Sequence, residues 1–173
     1  MELKFGPRGT IELNNANIIF RNFAGRGDKY NREGERNFAV VIPTEDIKDK
    51  LVNDVNRFDI GWNVKIKPPR EEGDTPFMYL PVKVRYRYNE RTKKVNGPDV
   101  YLRSGNAVNR LTEETVGMLD DIDIESVDLD IRPYDDEVNG RPFRSAQLNA
   151  IWVTQRIDRF AERFAEASNY DEF

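Results

Sequence analysis

The chain has 173 residues, which is one domain with at most an extension. It carries 27 Lys+Arg against 31 Asp+Glu, a formal net charge of −4, and 38% hydrophobic residues, including 10 Phe, 7 Tyr and 2 Trp. The aromatics exclude a disordered chain, no apolar run approaches the ~20 residues of a membrane helix, and 0 Cys with 0 His exclude disulfides, thiolate nucleophiles, Cys/His zinc sites and Ser-His-Asp triads.

Residues 1–7 lack a basic stretch followed by an apolar one, so no secretory signal is expected, and a cytoplasmic location is. The charge is unevenly spread. Residues 1–110 hold 21 basic and 15 acidic side chains, a net of +6, and residues 111–173 hold 6 and 16, a net of −10. Such asymmetry points to a basic binding surface beside an acidic region.

In chain order, residues 11–23 are apolar and β-prone, with asparagines that suggest a bulge or bend. A Gly-rich loop follows, carrying Arg26, Lys29, Tyr30 and Arg32. Phe38, Val40 and Ile42 share one parity of a strand. Thr44, before Glu45 and Asp46, reads as the N-cap of a helix whose apolar stripe is Ile47, Leu51 and Val55. Residues 62–67 alternate again, with Trp62, Val64 and Ile66 on one face and Lys65 and Lys67 on the other.

Residues 77–88 give the clearest strand. Met78, Leu80, Val82, Val84, Tyr86 and Tyr88 form one face; Phe77, Tyr79, Pro81, Lys83, Arg85 and Arg87 form the other. A connector with Lys93 and Lys94 leads to residues 100–103, expected to return as the partner strand and to add Tyr101 and Arg103 to the basic face. Residues 111–119 read as a short helix. Val127, Leu129 and Ile131 alternate with Asp128, Asp130 and Arg132, and Asn139-Gly140 marks a turn. On the return strand, alternation puts Ala146, Leu148, Ala150 and Trp152 together, so Trp152, like Trp62, is expected in the core. A closing helix starts near Gln155, on Ile157, Phe160, Ala161 and Phe164.

Five to seven short strands, one inserted helix and a closing helix predict a mainly β fold, a Greek-key barrel of the OB type. The expected division is a nucleic-acid-binding domain over residues 1–155, then a C-terminal helix and acidic tail over 156–173.

Single-stranded nucleic acid binds where cations track phosphates and rings stack bases. The face of Tyr79, Lys83, Arg85, Arg87, Tyr101 and Arg103 has both types, though a solvated strand face that deters edge pairing would look alike. The carboxylates Asp120, Asp121, Asp123 and Glu125 raise a magnesium-dependent nuclease as an alternative. Asp121, Asp123 and Glu125 fall on one parity and the following Asp128 and Asp130 on the opposite one, and no Lys or His base lies nearby, which favours a solvated face. No metal or cofactor is expected. The terminus Tyr170-Asp171-Glu172-Phe173 offers an acidic-aromatic hook for a partner, or an ordinary frayed end.

Several stretches together resemble a known family. They are Arg36-Asn37-Phe38-Ala39-Val40-Val41-Ile42-Pro43 with the helix at 47–55, the strand at 82–88, Val127-Asp128-Leu129-Asp130-Ile131-Arg132-Pro133-Tyr134 with Gly140, the return strand at 147–153, and terminal Asp171-Glu172-Phe173. This order is similar to the single-stranded DNA-binding proteins of tailed bacteriophages, OB-fold proteins with an acidic tail ending in Phe. The resemblance implies a non-enzymatic protein that coats single-stranded DNA without sequence preference in phage replication or recombination. Arg26, Lys29, Arg32, Lys65, Lys67, Lys83, Arg85, Arg87, Lys93 and Lys94 would neutralise phosphates, and Tyr30, Tyr79 and Tyr101 would stack bases. Asp171, Glu172 and Phe173 would engage replication or recombination proteins, and a homodimer is implied. The alternative from another class is a phage structural or protein-interaction β-barrel.

Overall fold

The computed structural model describes residues 1–157 together with Phe160 and Arg163. The expected closing helix and Asp171, Glu172 and Phe173 fall almost entirely outside them. The elements are β1 (Glu2–Phe5), β2 (Ile11–Ala16), β3 (Ile18–Asn22), β4 (Arg36–Val41), α1 (Glu45–Asn53), β5 (Lys65–Lys67) and β6 (Phe77–Val84). They continue with β7 (Arg87–Asn89), β8 (Lys94–Asn96), β9 (Asp99–Ser104), β10 (Ala107–Leu111), β11 (Ile124–Val138) and β12 (Arg141–Gln155). The mainly β expectation holds, with more strands than the sequence suggests, two of them much longer than expected.

The main sheet runs β1-β2-β11-β12-β6-β4-β3. The two long strands, β11 and β12, are its spine, joined through Asn139 and Gly140, whose φ values of 53° and 77° are those of a two-residue hairpin turn. β12 serves two neighbours along one edge. Its Gln147 lies level with Lys83 of β6, and Ala150 to Thr154 pair in parallel with β9, which in turn carries β10. β5 lies along β6, and β7 with β8 forms a separate hairpin.

The expected closed barrel is not formed: the ladder of hydrogen bonds among the described residues is open, ending at β1 and β3. β3 explains its own end. Its register slips between Ile19 and Asn22, and Phe20 takes a φ of +53° there, so the edge offers no regular row of N–H and C=O groups.

Alternation fills the core. Met78, Leu80, Val82 and Val84 of β6 face Phe38 and Val40 of β4, Val127, Leu129 and Ile131 of β11, and Ile151 and Val153 of β12. Phe23 stacks on Phe38 at 5.1 Å between ring centres. α1 begins as expected, the Thr44 hydroxyl accepting the Ile47 N–H at 3.3 Å. It ends at Asn53, so Leu51 is buried but Val55 is exposed. Gly61 lets the chain pass against that end: a Cβ there would sit 1.9 Å from the Val52 carbonyl oxygen.

Other expectations need correction. The strand at 77–88 stops at Val84, and Arg87 restarts in the separate hairpin. Residues 100–103 do not pair with it; they pair with β12 and β10. Residues 111–119 form no helix of normal pitch: Leu111 ends β10, and a short 3-10 turn spans Val116–Asp120. Trp62 is core, but Trp152 is 37% exposed. Asp130 faces Ala150 while Ile131 faces Leu148, so Asn149 is an extra residue in the strand. A bulge of one residue reverses parity, and Ile151 and Val153 enter the core in place of Trp152.

Candidate nucleic-acid interface

The outer face of β6 bears Phe77, Tyr79, Pro81 and Lys83, as the period of two requires. Directly opposed residues of paired strands lie on the same side of a sheet. Lys65 opposite Tyr79 and Lys67 opposite Phe77 therefore join that face from β5, and Asn37 opposite Lys83 joins it from β4.

Its upper end is aromatic. Phe20 meets Tyr79 edge-on at 5.5 Å, and Phe77 lies 5.7 Å from Tyr79. The Lys67 ammonium stands 5.6 Å from the Phe20 ring and 5.9 Å from the Tyr79 ring. Phe20 is 59% exposed and left-handed. That backbone is unusual and costly for a bulky side chain, and such strain collects at functional sites. Below the rings, a groove of about 390 Å³ runs past Pro81 and Lys83, with Phe143 and Ser145 of β12 as its far wall.

The lower end is basic. Arg85 and Arg87 follow Lys83 beyond the end of the strand and line one cavity with it, and both are exposed. Arg132 of β11 joins them, its Nη2 donating to Gln147 Oε1 at 3.3 Å. Among the described residues, Lys83, Arg85, Arg87 and Arg132 have no ion-pair partner. A neighbouring cavity of about 480 Å³ reaches from Lys83, Arg85 and Arg87 to Gly34 and Arg36. Arg36 lies 5.5 Å over the Tyr86 ring; burial pushes the Tyr86 hydroxyl up, and the Arg36 charge opposes that.

The Gly-rich loop is bonded within itself. Asp28 accepts the N–H groups of Tyr30 and Asn31, which hold its carboxyl below the usual range, Glu33 accepts from Gly27, and Glu35 from Arg32. Asn31 Oδ1 accepts from Asn37 at 2.7 Å, tying the loop to β4 beside the groove. Tyr30 is 84% exposed under Lys29 at 5.7 Å, and Arg26 sits 3.9 Å from Asp121. Lys93 and Lys94 are exposed on the β7–β8 hairpin.

Tyr101 and Arg103 do not join this group. β9 carries them to the other half of β12, where Tyr101 stacks on Trp152 at 5.8 Å and Arg103 donates to the Gly105 carbonyl. The sequence reading missed Phe20, Phe143, Arg132 and Gln147. Arg132 alone had a signal, its outward parity.

Several carboxylates in the 120–130 region are engaged in holding the fold. Asp120 accepts the N–H groups of Phe23 and Ala24, Asp128 that of Asn15, and Asp130 the Asn149 amide. No group of three or more carboxylates among the described residues is placed to hold a metal ion. No described helix is long and apolar enough to cross a membrane.

Fold and face together define an open β-sheet protein that presents exposed rings and unpaired cations in one file. The family described as "Putative phage ssDNA-binding domain" matches residues 2–173, and the chain belongs to it. Among solved structures, it is similar to the single-stranded DNA-binding protein from bacteriophage Enc34. The C-terminal truncation of that protein gives a TM-score of 0.51 at 16% identity over 88% of each chain, and another form gives 0.51 at 14% identity over 91% of this chain and 92% of that one. The single-stranded DNA-binding protein gp2.5 of bacteriophage T7 aligns at a TM-score of 0.45 and 12% identity, over 88% of this chain and 94% of that one. No curated protein sequence matches.

Proposed function

We propose that the chain coats single-stranded DNA without sequence preference during phage replication or recombination, in the host cytoplasm, and performs no chemistry on it. The observation that carries this is the group of Phe20, Tyr79 and Phe77, then Lys83 and Arg132, on one outer sheet face, with Arg85 and Arg87 lining cavities beside the last two. Rings accept any base, and unpaired cations accept any phosphate, so the arrangement favours strand over sequence. Lys65 and Lys67 belong to the same path; Arg26, Lys29, Tyr30 and Arg32 border it on the loop; Lys93 and Lys94 extend it on the hairpin. Tyr101 and Arg103, off this path, would hold DNA only if the strand continues along β12. Asp171, Glu172 and Phe173 would engage replication or recombination proteins, with the chain as a homodimer.

Oligo-dT titrated at several salt concentrations is the test. Affinity should fall steeply with salt, by a slope of about −0.7 per phosphate neutralised. Arg85→Ala with Arg87→Ala should make that slope shallower by about 1.4 and weaken all sequences alike. No binding at about 50 mM salt, where phosphate contacts are strong, or equal binding of duplex, would discard the proposal.

A further inference from the structure

At the basic end, five chain segments meet around one small cavity of about 180 Å³, under half the size of the aromatic groove. Arg85 follows β6, Arg87 lies in β7, Asn96 in β8, Arg132 in β11, and Gln147 with Asn149 in β12. Three guanidinium groups around one cavity repel each other, and none is ion-paired among the described residues. That arrangement is stabilised by an anion between them.

Gln147 supplies a second, independent sign. It is only 5% exposed. Its Oε1 accepts from Arg132, which leaves Nε2 as a donor, and Nε2 has no partner among the described residues. A buried donor without an acceptor is costly, and native structures rarely leave one. Asp130 is the neighbouring carboxylate on β11. Its Oδ2 is taken by Asn149 at 3.0 Å, and its Oδ1 is unpartnered.

We infer that Arg85, Arg87, Arg132 and Gln147 form a discrete seat for one tetrahedral oxyanion, a single phosphate of the bound DNA backbone. This rests on the DNA-coating reading and adds to it a fixed point in an otherwise sequence-blind path. The guanidinium groups bring charge, and the Gln147 amide brings a donor whose direction Arg132 sets. The phosphate completes the amide's missing hydrogen bond.

The test titrates the full chain with inorganic phosphate at low ionic strength, with chloride as control. NMR follows the Gln147 side-chain amide and the arginine Nε–H signals. Saturable shifts at these groups are expected, larger than at Lys65 and Lys67, and reversed by oligo-dT. Gln147→Leu should weaken both phosphate and oligo-dT about tenfold, the loss of one charge-assisted hydrogen bond. The same variant should unfold at an equal or higher urea concentration, because it removes a buried unpaired donor. Unsaturating shifts spread over all cations, unchanged affinity in Gln147→Leu, or a lowered urea midpoint would overturn the seat; the last would mean that the amide is satisfied through Asp130. If wild-type protein fails to bind oligo-dT, the coating reading falls while a saturable phosphate response keeps the seat as a free-anion site. Oligo-dT binding indifferent to Gln147 removes the seat alone.

Discussion

Phe20→Ala should weaken oligo-dT binding about tenfold or more, and Phe20→Ala with Tyr79→Ala further, though by less than the product of the two single losses, with the salt slope unchanged. A base stacked on a ring contributes about 1–3 kcal/mol, and rings carry no charge to release counterions. The two rings touch at 5.5 Å, so they act as one platform and their losses will not simply add. Phe20→Gly separates function from folding. A left-handed residue with a side chain costs about 1–2 kcal/mol, and glycine relieves it. That variant should bind DNA as poorly as Phe20→Ala yet be at least as stable as the wild type by urea unfolding. If Phe20→Gly keeps wild-type affinity, the ring is not a base platform; if it is less stable, the exposed ring is a packing element after all.

The same residue shows where sequence reasoning stops. Ile18-Ile19-Phe20 reads as a buried run, and nothing local says that the backbone turns left-handed and expels the third side chain. Trp152 is hidden by the same kind of event, one extra residue at Asn149 that reverses parity halfway along β12. Where the strand is regular, the reading works: every outward residue of β6 from Phe77 to Lys83 stands where the period of two put it. Thr44 capping α1 and Asn139-Gly140 turning the long hairpin were legible because each is settled within four residues. Strand neighbours were not. The sequence pairs residues 100–103 with the strand before them, but β9 lies parallel to β12, fifty residues later, so Tyr101 and Arg103 leave the expected face. Arg132 arrives there by the same long-range pairing. Basic residues could thus be found singly from the sequence, but their grouping into a cavity depends on which strands the spine of β11 and β12 brings together.

Arg144 holds that spine to the helix side of the molecule, and Arg144→Met should cost about 3 kcal/mol at pH 7, the low end for breaking a buried ion pair because Asp135 keeps 24% of its side chain exposed. The Arg144 side chain is 6% exposed, with Nε 2.8 Å from Asp135 Oδ1. Its Nη1 donates to the Asp54 carbonyl at 2.7 Å, and its guanidinium lies 5.0 Å over Trp62. Asn56 donates to the same carboxylate at 2.9 Å. Burial alone would raise the Asp135 pKa, but hydrogen bonds from Arg144 and Asn56 outweigh it and hold the group below the ordinary aspartate value. A carboxyl depressed in the folded state stabilises the protein above its unfolded value near pH 4, and that contribution fades as pH falls through the folded value. With methionine at 144, burial acts unopposed by the guanidinium, so Asp135 prefers its proton and the variant fares relatively better in acid. Urea unfolding should therefore show the largest gap between variant and wild type above about pH 5, narrowing toward about pH 3. An equal gap at both pH values would mean that Arg144 works only through Trp62 and the Asp54 carbonyl. Arg144→Met with Asp135→Leu should recover part of the loss at neutral pH, since it removes the stranded carboxylate. The neighbours of Arg144 on β12, Phe143 and Ser145, wall the groove, so Arg144→Met should also weaken oligo-dT binding by a few-fold even where it is fully folded.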